Sequence, residues 1–210
     1  MRFSDHLVKN GVKNLFYLTA LENLESILQH GILCRDFARQ HIKVDISSDR
    51  VQRGRMENFP NVHQHVPLYF AHNTPMLYVC VSPKRGNNQS VILLKISSEV
   101  ANFDAVCFSD GKTANGANLY TNPDDLKKLD WEIINSDLSA WGEDRSGRDW
   151  PDIRSSEIFV PKECDAFYIR GIYFQSRLAE GWSKVGKILE HASWSGKIFV
   201  ENSLTEKGIW

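Results

Sequence analysis

Long apolar runs are missing from this 210-residue chain. The longest, such as Val91–Leu94, fall far short of the roughly 20 residues that a membrane-spanning helix requires. The first residues, MRFSDHLVKNG, contain no apolar core of a secretory signal, and a cytoplasmic location is expected. Cysteine is sparse: Cys34, Cys80, Cys107 and Cys164 are scattered, with no C-x-x-C pair and no neighbouring Cys/His cluster. Free thiols in a reducing compartment are expected, and not a disulfide framework or a zinc site. An excess of one charge is also absent, the formal net being -1, which argues against a uniformly basic nucleic-acid binder. There is no G-x-G-x-x-G, no G-x-x-x-x-G-K-[ST], no H-E-x-x-H and no G-x-S-x-G. Rossmann and P-loop phosphate cradles, zincin sites and nucleophile elbows are thereby excluded. His63-x-His65 has no identifiable third ligand, so no metal is expected and the pair reads as solvent-facing loop histidines. No repeat of 20–50 residues and no low-complexity segment is visible.

What is present has a globular balance. Hydrophobic residues make up 42% and charged residues 24%, with 11 Phe, 6 Tyr and 6 Trp to fill a core. One domain spanning residues 1–210 is expected. The charge is unevenly spread: residues 1–98 hold 12 Lys/Arg against 7 Asp/Glu, whereas residues 99–163 hold 7 against 14. Positive charge gathered at one anion-binding site is compatible with this, as are solvated faces of unlike sign.

Periodicity supplies the elements. Leu15–Leu18 reads as a short buried strand. Leu21, Leu24, Ile27 and Leu28 form a helical stripe over Ala20–His30, with Thr19 and Glu22 as a capping box and Gly31 as the stop. Residues 35–65 read as a long polar loop with one helical turn around Ser48–Met56, a length that points to function. Strands are expected at Val66–Phe70, Ser90–Ile96, Ala105–Phe108, Ser156–Val160 and Phe167–Phe174. Helices are expected after Asn73-Thr74-Pro75, over Pro123–Trp131 and over Leu178–His191. Gly142–Asp152 reads as a polar loop. Strands and helices interspersed this irregularly argue for an α+β fold.

Seven short segments carry a resemblance. They are Phe16-Tyr17-Leu18-Thr19 with Asn23-Leu24 and Ile27-Leu28-x-x-Gly31; Val51-Gln52-Arg53-Gly54-Arg55; Val66-Pro67-Leu68-Tyr69-Phe70; Thr74-Pro75-Met76-Leu77-Tyr78; Phe108-Ser109-Asp110-Gly111; Leu129-Asp130-Trp131; and Ser156-Glu157-Ile158-Phe159-Val160-Pro161. In this order and spacing, over residues 15 to 174, the chain resembles the DarT family. The resemblance implies an ADP-ribosyltransferase-type fold: a split, strongly bent β-sheet with the NAD+ cleft between its halves. It implies transfer of ADP-ribose from NAD+ to a base in single-stranded DNA by a bacterial toxin, monomeric and away from membranes, partnered by a DarG-like macrodomain antitoxin.

The resemblance also assigns roles. Glu157 matches the catalytic glutamate, a carboxylate suited to the positive charge that develops on the ribose. Arg55 matches the catalytic arginine, with Arg53 two residues away as the alternative. Tyr17, Thr19, Asn23 and Tyr69 fall at NAD+-binding positions, with Tyr17 standing where the family has a histidine. The segment before the glutamate is implied to read the target. There Trp150, Arg148 and Arg154 suit a single strand, through stacking and phosphate contact, with Arg154 the best placed. Related activities on RNA or protein, and a silent nucleic-acid binding module, are the rival readings.

Overall fold

The computed structural model describes residues 1–81, 90–136, 150–175, 185–190, 192, 194 and 197–201. In chain order the elements are α1 (Phe3–Lys9), β1 (Asn14–Ala20), α2 (Leu24–His30), β2 (Ile32–Leu33), α3 (Arg35–Ala38), α4 (Asp49–Asn58), β3 (His65–Tyr69) and α5 (Pro75–Val81). After these come β4 (Val91–Ser97), β5 (Cys107–Ser109), β6 (Leu119–Tyr120), α6 (Trp131–Asn135), α7 (Trp150–Ile153), β7 (Glu157–Pro161), β8 (Glu163–Cys164), β9 (Ile169–Gln175) and β10 (Lys197–Glu201). A further helical stretch covers 185–190. The class is α+β, as the irregular interspersion implies.

Eight strands form one sheet in the order β10-β9-β4-β1-β3-β7-β5-β6, and β2 pairs with β8 apart from it. The apolar run Val91–Ser97 explains the middle of one half. Six of its seven residues are buried, and β4 pairs with β1 on one side and β9 on the other. β1 and β4 share seven registered pairs, and β3 and β7 share five. Between β1 and β3, however, only Phe16 and Tyr69 are registered. The sheet is therefore split at that junction. Each half has its own ladder, and the residues flanking the junction line a cleft that continuous pairing would have closed.

Several local expectations give way to tertiary pairing. Thr19 and Ala20 do not open the helix: both continue β1, opposite Ile92 and Val91. A 3-10 turn (Leu21–Asn23) follows before α2 begins. The ladder to β4 outweighs the capping signal. Gly31 does end α2, at φ 78°, and a Cβ there would sit 2.8 Å from the Cys164 carbonyl. Pro123–Trp131 is not one helix. Asn122 caps a 3-10 turn over Pro123–Lys128, and Asp130 then caps α6 through the Ile133 N–H. The stretch 35–65 is not a long loop, because α3, α4 and a 3-10 turn at Val62–Gln64 occupy much of it. β10 had no counterpart among the expected elements. The Leu178–His191 helix is described only at 185–190, and Gly142–Asp152 only from Trp150 onward. Among the described residues, no helix is long and apolar enough to cross a membrane, and the four cysteines are buried free thiols.

Candidate active site

Glu157 is the first residue of β7 and is 1% exposed. Its position is set from two sides. Its backbone N–H donates to Ser109 Oγ at 3.1 Å, and the Ser109 hydroxyl donates to the Gly111 carbonyl at 2.8 Å. Across the ladder it faces Tyr69. A carboxyl this deep is costly to ionise, and burial pushes its pKa above the ordinary carboxylate range. Arg55 opposes that shift, as do Lys112 and the Tyr69 hydroxyl.

Arg55 meets Glu157 directly. Its Nη2 donates to both carboxylate oxygens, and its side chain is 11% exposed. Burial lowers the guanidinium pKa and Glu157 raises it, with the rise prevailing, so the arginine stays charged. Arg53, by contrast, is exposed. The route from sequence to this contact is short. Ser48 caps α4 by accepting from the Val51 N–H. Gly54 then lets the helix approach residues 113–115 so closely that a Cβ would lie 2.8 Å from the Ala114 carbonyl. Asn58 fastens the same contact, donating to the Gly54 and Ala114 carbonyls at 2.8 and 3.4 Å. The spacing glycine of Gln52-Arg53-Gly54-Arg55 thus seats the second arginine on the glutamate. Arg55 Nε is enclosed with no acceptor among the described residues.

The pair forms the floor of a cavity of about 160 Å³ lined also by Tyr17, Thr19, Arg35, Asp45, His63 and Tyr69. Burial pushes the Tyr17 phenol up to about 12, with Asp45 adding to the rise and Arg35 opposing it. Burial and then Glu157 raise Tyr69 further. Both phenols are therefore neutral hydrogen-bond donors at neutral pH. Arg35 forms an ion pair with Asp45 at 2.7 Å and donates to Ser47 Oγ at 3.0 Å. His63 and His65 line the cavity, contrary to their reading as solvent-facing histidines. His63 approaches Gln52 Oε1 at 3.0 Å, and burial, then Arg35, lower its pKa. Arg35, Asp45 and His63 were not among the expected site residues. Their signal was the Arg- and His-rich composition of 35–65. Among the described residues, no group of three His, Cys, Asp or Glu could hold a metal.

Two expected ligand residues are occupied by the protein itself. Asn23 is buried and bonded to Thr19, Lys43 and Val44. Arg154 is 2% exposed. It donates through Nε and Nη2 to the Asn73 carbonyl at 3.2 and 2.8 Å. Its Nη1 donates to the carbonyls of Ile133 and Ser136 at 3.0 and 2.6 Å, and to Ser136 Oγ at 2.8 Å. It holds three backbone segments together and does not present its guanidinium to a strand. Trp150 is half-buried at the start of α7, its Nε1 enclosed without an acceptor among the described residues. Arg148 lies outside the described residues.

Chemically, the cavity combines a buried carboxylate, an arginine whose Nη2 holds both carboxylate oxygens, and neutral phenol and hydroxyl donors. Such a floor can bind a polar sugar and stabilise positive charge developing above it. Residues 16–204 match the family model described as ssDNA thymidine ADP-ribosyltransferase, DarT. The chain is 26% identical over 171 residues to a DNA ADP-ribosyl transferase-DNA ADP-ribosyl glycohydrolase fusion protein of Thermosipho africanus (strain H17ap60334), covering 42% of that relative. It is 29% identical over 146 residues to a DNA ADP-ribosyl transferase of Thermus sp. (strain 2.9), covering 66% of it. In fold it is similar to Thermus sp. 2.9 DarT in complex with ADP-ribosylated ssDNA, at a TM-score of 0.75 and 20% identity, covering 92% of this chain and 96% of that one. The same protein in complex with NAD+ gives a TM-score of 0.72 at 19% identity, covering 92% and 97%.

Proposed function

The chain belongs to the DarT family of ssDNA thymidine ADP-ribosyltransferases, and from that premise we propose that it transfers ADP-ribose from NAD+ to a thymine of single-stranded DNA. The observation that carries the reading is the buried Glu157–Arg55 pair on the floor of a cavity lined by Tyr17, Thr19 and Tyr69.

NAD+ is a substrate here, and the reaction balances without a metal. The bond from ribose carbon to nicotinamide nitrogen breaks, and nicotinamide leaves neutral because it was already cationic. The ribose carbon becomes electron-deficient, and a base nitrogen or oxygen forms the new bond. Glu157 accepts a ribose hydroxyl hydrogen bond, stabilises the positive charge, and takes the proton that the base gives up. Arg55 keeps Glu157 ionised in a site where burial would protonate it, and a guanidinium beside the carboxylate suits a phosphate or sugar oxygen. The neutral phenols of Tyr17 and Tyr69 offer donors and stacking faces without competing for the cation. Tyr17 stands at the family's histidine position with a phenol that donates one hydrogen bond and stacks. Trp150 and Arg148 remain proposed contacts to the strand.

The chain acts in the bacterial cytoplasm as a monomeric toxin. The Thermosipho relative joins a transferase to a DNA ADP-ribosyl glycohydrolase, which supports a macrodomain antitoxin partner that removes the mark. The test is labelled NAD+ offered with single-stranded DNA, RNA and protein acceptors. Label on DNA is expected. Label on RNA or protein alone, or on nothing, would replace this reading with another acceptor or a silent binding module.

A further inference from the structure

One wall of the cavity has no regular structure of its own. Residues 42–48 form neither helix nor strand, yet Ile42, Val44, Asp45, Ile46 and Ser47 all line the cavity. Such a segment keeps its shape only through what it is tied to. Two of its ties are ion pairs at the surface, Lys43–Glu25 at 3.2 Å and Arg35–Asp45 at 2.7 Å, with side chains 31–59% exposed. Pairs in that setting hold a segment weakly.

Arg35 also donates to Ser47 Oγ at 3.0 Å, and the Ile42 N–H donates to the Ala38 carbonyl at 2.9 Å, each a single bond at an end of the segment. The tie at its middle is different. Asn23 is 2% exposed. Its Oδ1 accepts from the backbone N–H groups of Lys43 and Val44 at 2.8 and 3.0 Å. Its Nδ2 donates to the Val44 carbonyl at 2.7 Å and to Thr19 Oγ1 at 3.0 Å. A carboxamide offers two N–H donors and two lone pairs, and all four are used. Towards Val44 the side chain reproduces the paired N–H and C=O contacts of a neighbouring strand. Its fourth bond reaches Thr19, which lines the same cavity. Asn23 has nothing left to give a ligand, but it fixes two walls relative to each other.

We infer that Asn23, which itself lines the cavity, is a positioning residue for NAD+ binding, acting through the Val44 backbone and the Thr19 hydroxyl without giving the ligand a hydrogen bond of its own. The inference rests on the function proposed above. A positioning role of this kind acts on affinity. The floor pair that does the chemistry lies on other elements, α4 and β7, and is not bonded to Asn23.

The test compares the wild-type chain with Asn23→Asp, Val44→Pro and the double variant, by calorimetric NAD+ titration, single-turnover transfer and limited trypsinolysis. Asn23→Asp sets a carboxylate oxygen against the Val44 carbonyl, and Val44→Pro removes the N–H from the other side. Each single variant is expected to weaken NAD+ binding at least about tenfold, with the rate at saturating NAD+ within about threefold. The double variant should be no weaker than the worse single one, because both cut the same tie. Tryptic cleavage after Lys43 should accelerate in Asn23→Asp; in the variants carrying Val44→Pro, where a Lys-Pro bond resists trypsin, faster cleavage after the exposed Arg39 is the readout. Unchanged affinity in Asn23→Asp overturns the inference. So does weakened binding with no faster cleavage and additive effects of the two changes, which would mean that Asn23 meets the ligand itself. If Asn23→Asp does not fold, Asn23→Ser, which keeps one acceptor and one donor, takes its place. A wild-type chain that binds no NAD+ removes the functional reading, and the cleavage arm then decides whether Asn23 holds residues 42–48.

Discussion

At the Glu157 carboxylate two opposed effects share one site. Burial favours the neutral acid, and Arg55, bonded to both oxygens, favours the anion. The proposed role of Glu157 needs the anion, and on that proposal Arg55 acts through the charge state of its partner as well as through any contact of its own. Glu157→Gln keeps the shape and removes the charge. Transfer should fall by at least about 10²-fold, with NAD+ affinity in a calorimetric titration changed much less, and near-wild-type turnover would remove Glu157 from its role. The pH dependence follows with its sign. Lowering the pH protonates Glu157, so kcat/KM should fall on the acid side at a pH above the ordinary carboxylate value of 4.5. Arg55→Ala deletes the group that holds the pKa down, and its residual activity should show the acid limb displaced to higher pH. A limb that stays in place would mean that Arg55 does not govern the ionisation. Both residues could be singled out in the sequence because their motifs are short and local. Asn23 and Arg154 show what the residue type alone leaves open: an amide or guanidinium that suits a ligand suits a backbone carbonyl equally, and only burial and partners tell the two apart.

Elements turn these residues into a site, and α4 shows how. Its only glycine, Gly54, lies against Ala114, and the approach it allows carries Arg55 onto Glu157. In an isolated helix, replacing glycine with alanine stabilises by about 1 kcal/mol. Here the added Cβ would sit 2.8 Å from a backbone oxygen, so α4 must move away. Gly54→Ala is therefore expected to lower the melting temperature and reduce transfer at least about tenfold, against the helix-propensity trend. A more stable, fully active variant would show that the α4 contact does not set Arg55. Arg154 works at the same scale, joining the segment after β3, the end of α6 and α7. Arg154→Met leaves buried carbonyls unpaired, each worth about 1–3 kcal/mol. It should lower the melting temperature by several degrees and slow transfer even at saturating DNA. A variant that melts like the wild type and is weakened only in DNA affinity would restore the strand contact expected from sequence. Strands were easier to place than helices because β4 and β7 are buried runs whose pairing agrees with their local preference. The helix start at Thr19 was misplaced because the β4 ladder decides there, and the helix expected from Pro123 ends at Lys128 because Asp130 caps a separate α6.

The split sheet determines what the whole molecule can accept. Because β1 and β3 share one registered pair, the catalytic floor lies at the bottom of a cleft, with Glu157 1% exposed. A base in a duplex has its edge against its partner and its faces against its neighbours, and it reaches such a floor only by leaving the stack, at a cost of a few kcal/mol. The chain has little electrostatic pull with which to offset that cost. Its net charge is -1, and residues 99–163, which contain the glutamate, hold 14 acids against 7 bases. Single-stranded DNA avoids the cost, because its bases unstack readily. Transfer from labelled NAD+ to a thymine-containing single strand is therefore expected, with at least about 10²-fold less to the same strand annealed to its complement, about 2.7 kcal/mol of unstacking and unpairing. Rising salt should slow the single-strand reaction only modestly at low DNA concentration. Each phosphate contact contributes about 0.7 to the slope of log affinity against log salt, and a chain so short of excess positive charge should show a slope shallower than about -3. Equal rates on paired and unpaired strands, or a slope as steep as that of a basic groove binder, would mean that the molecule opens or grips duplex DNA through a surface other than this cleft.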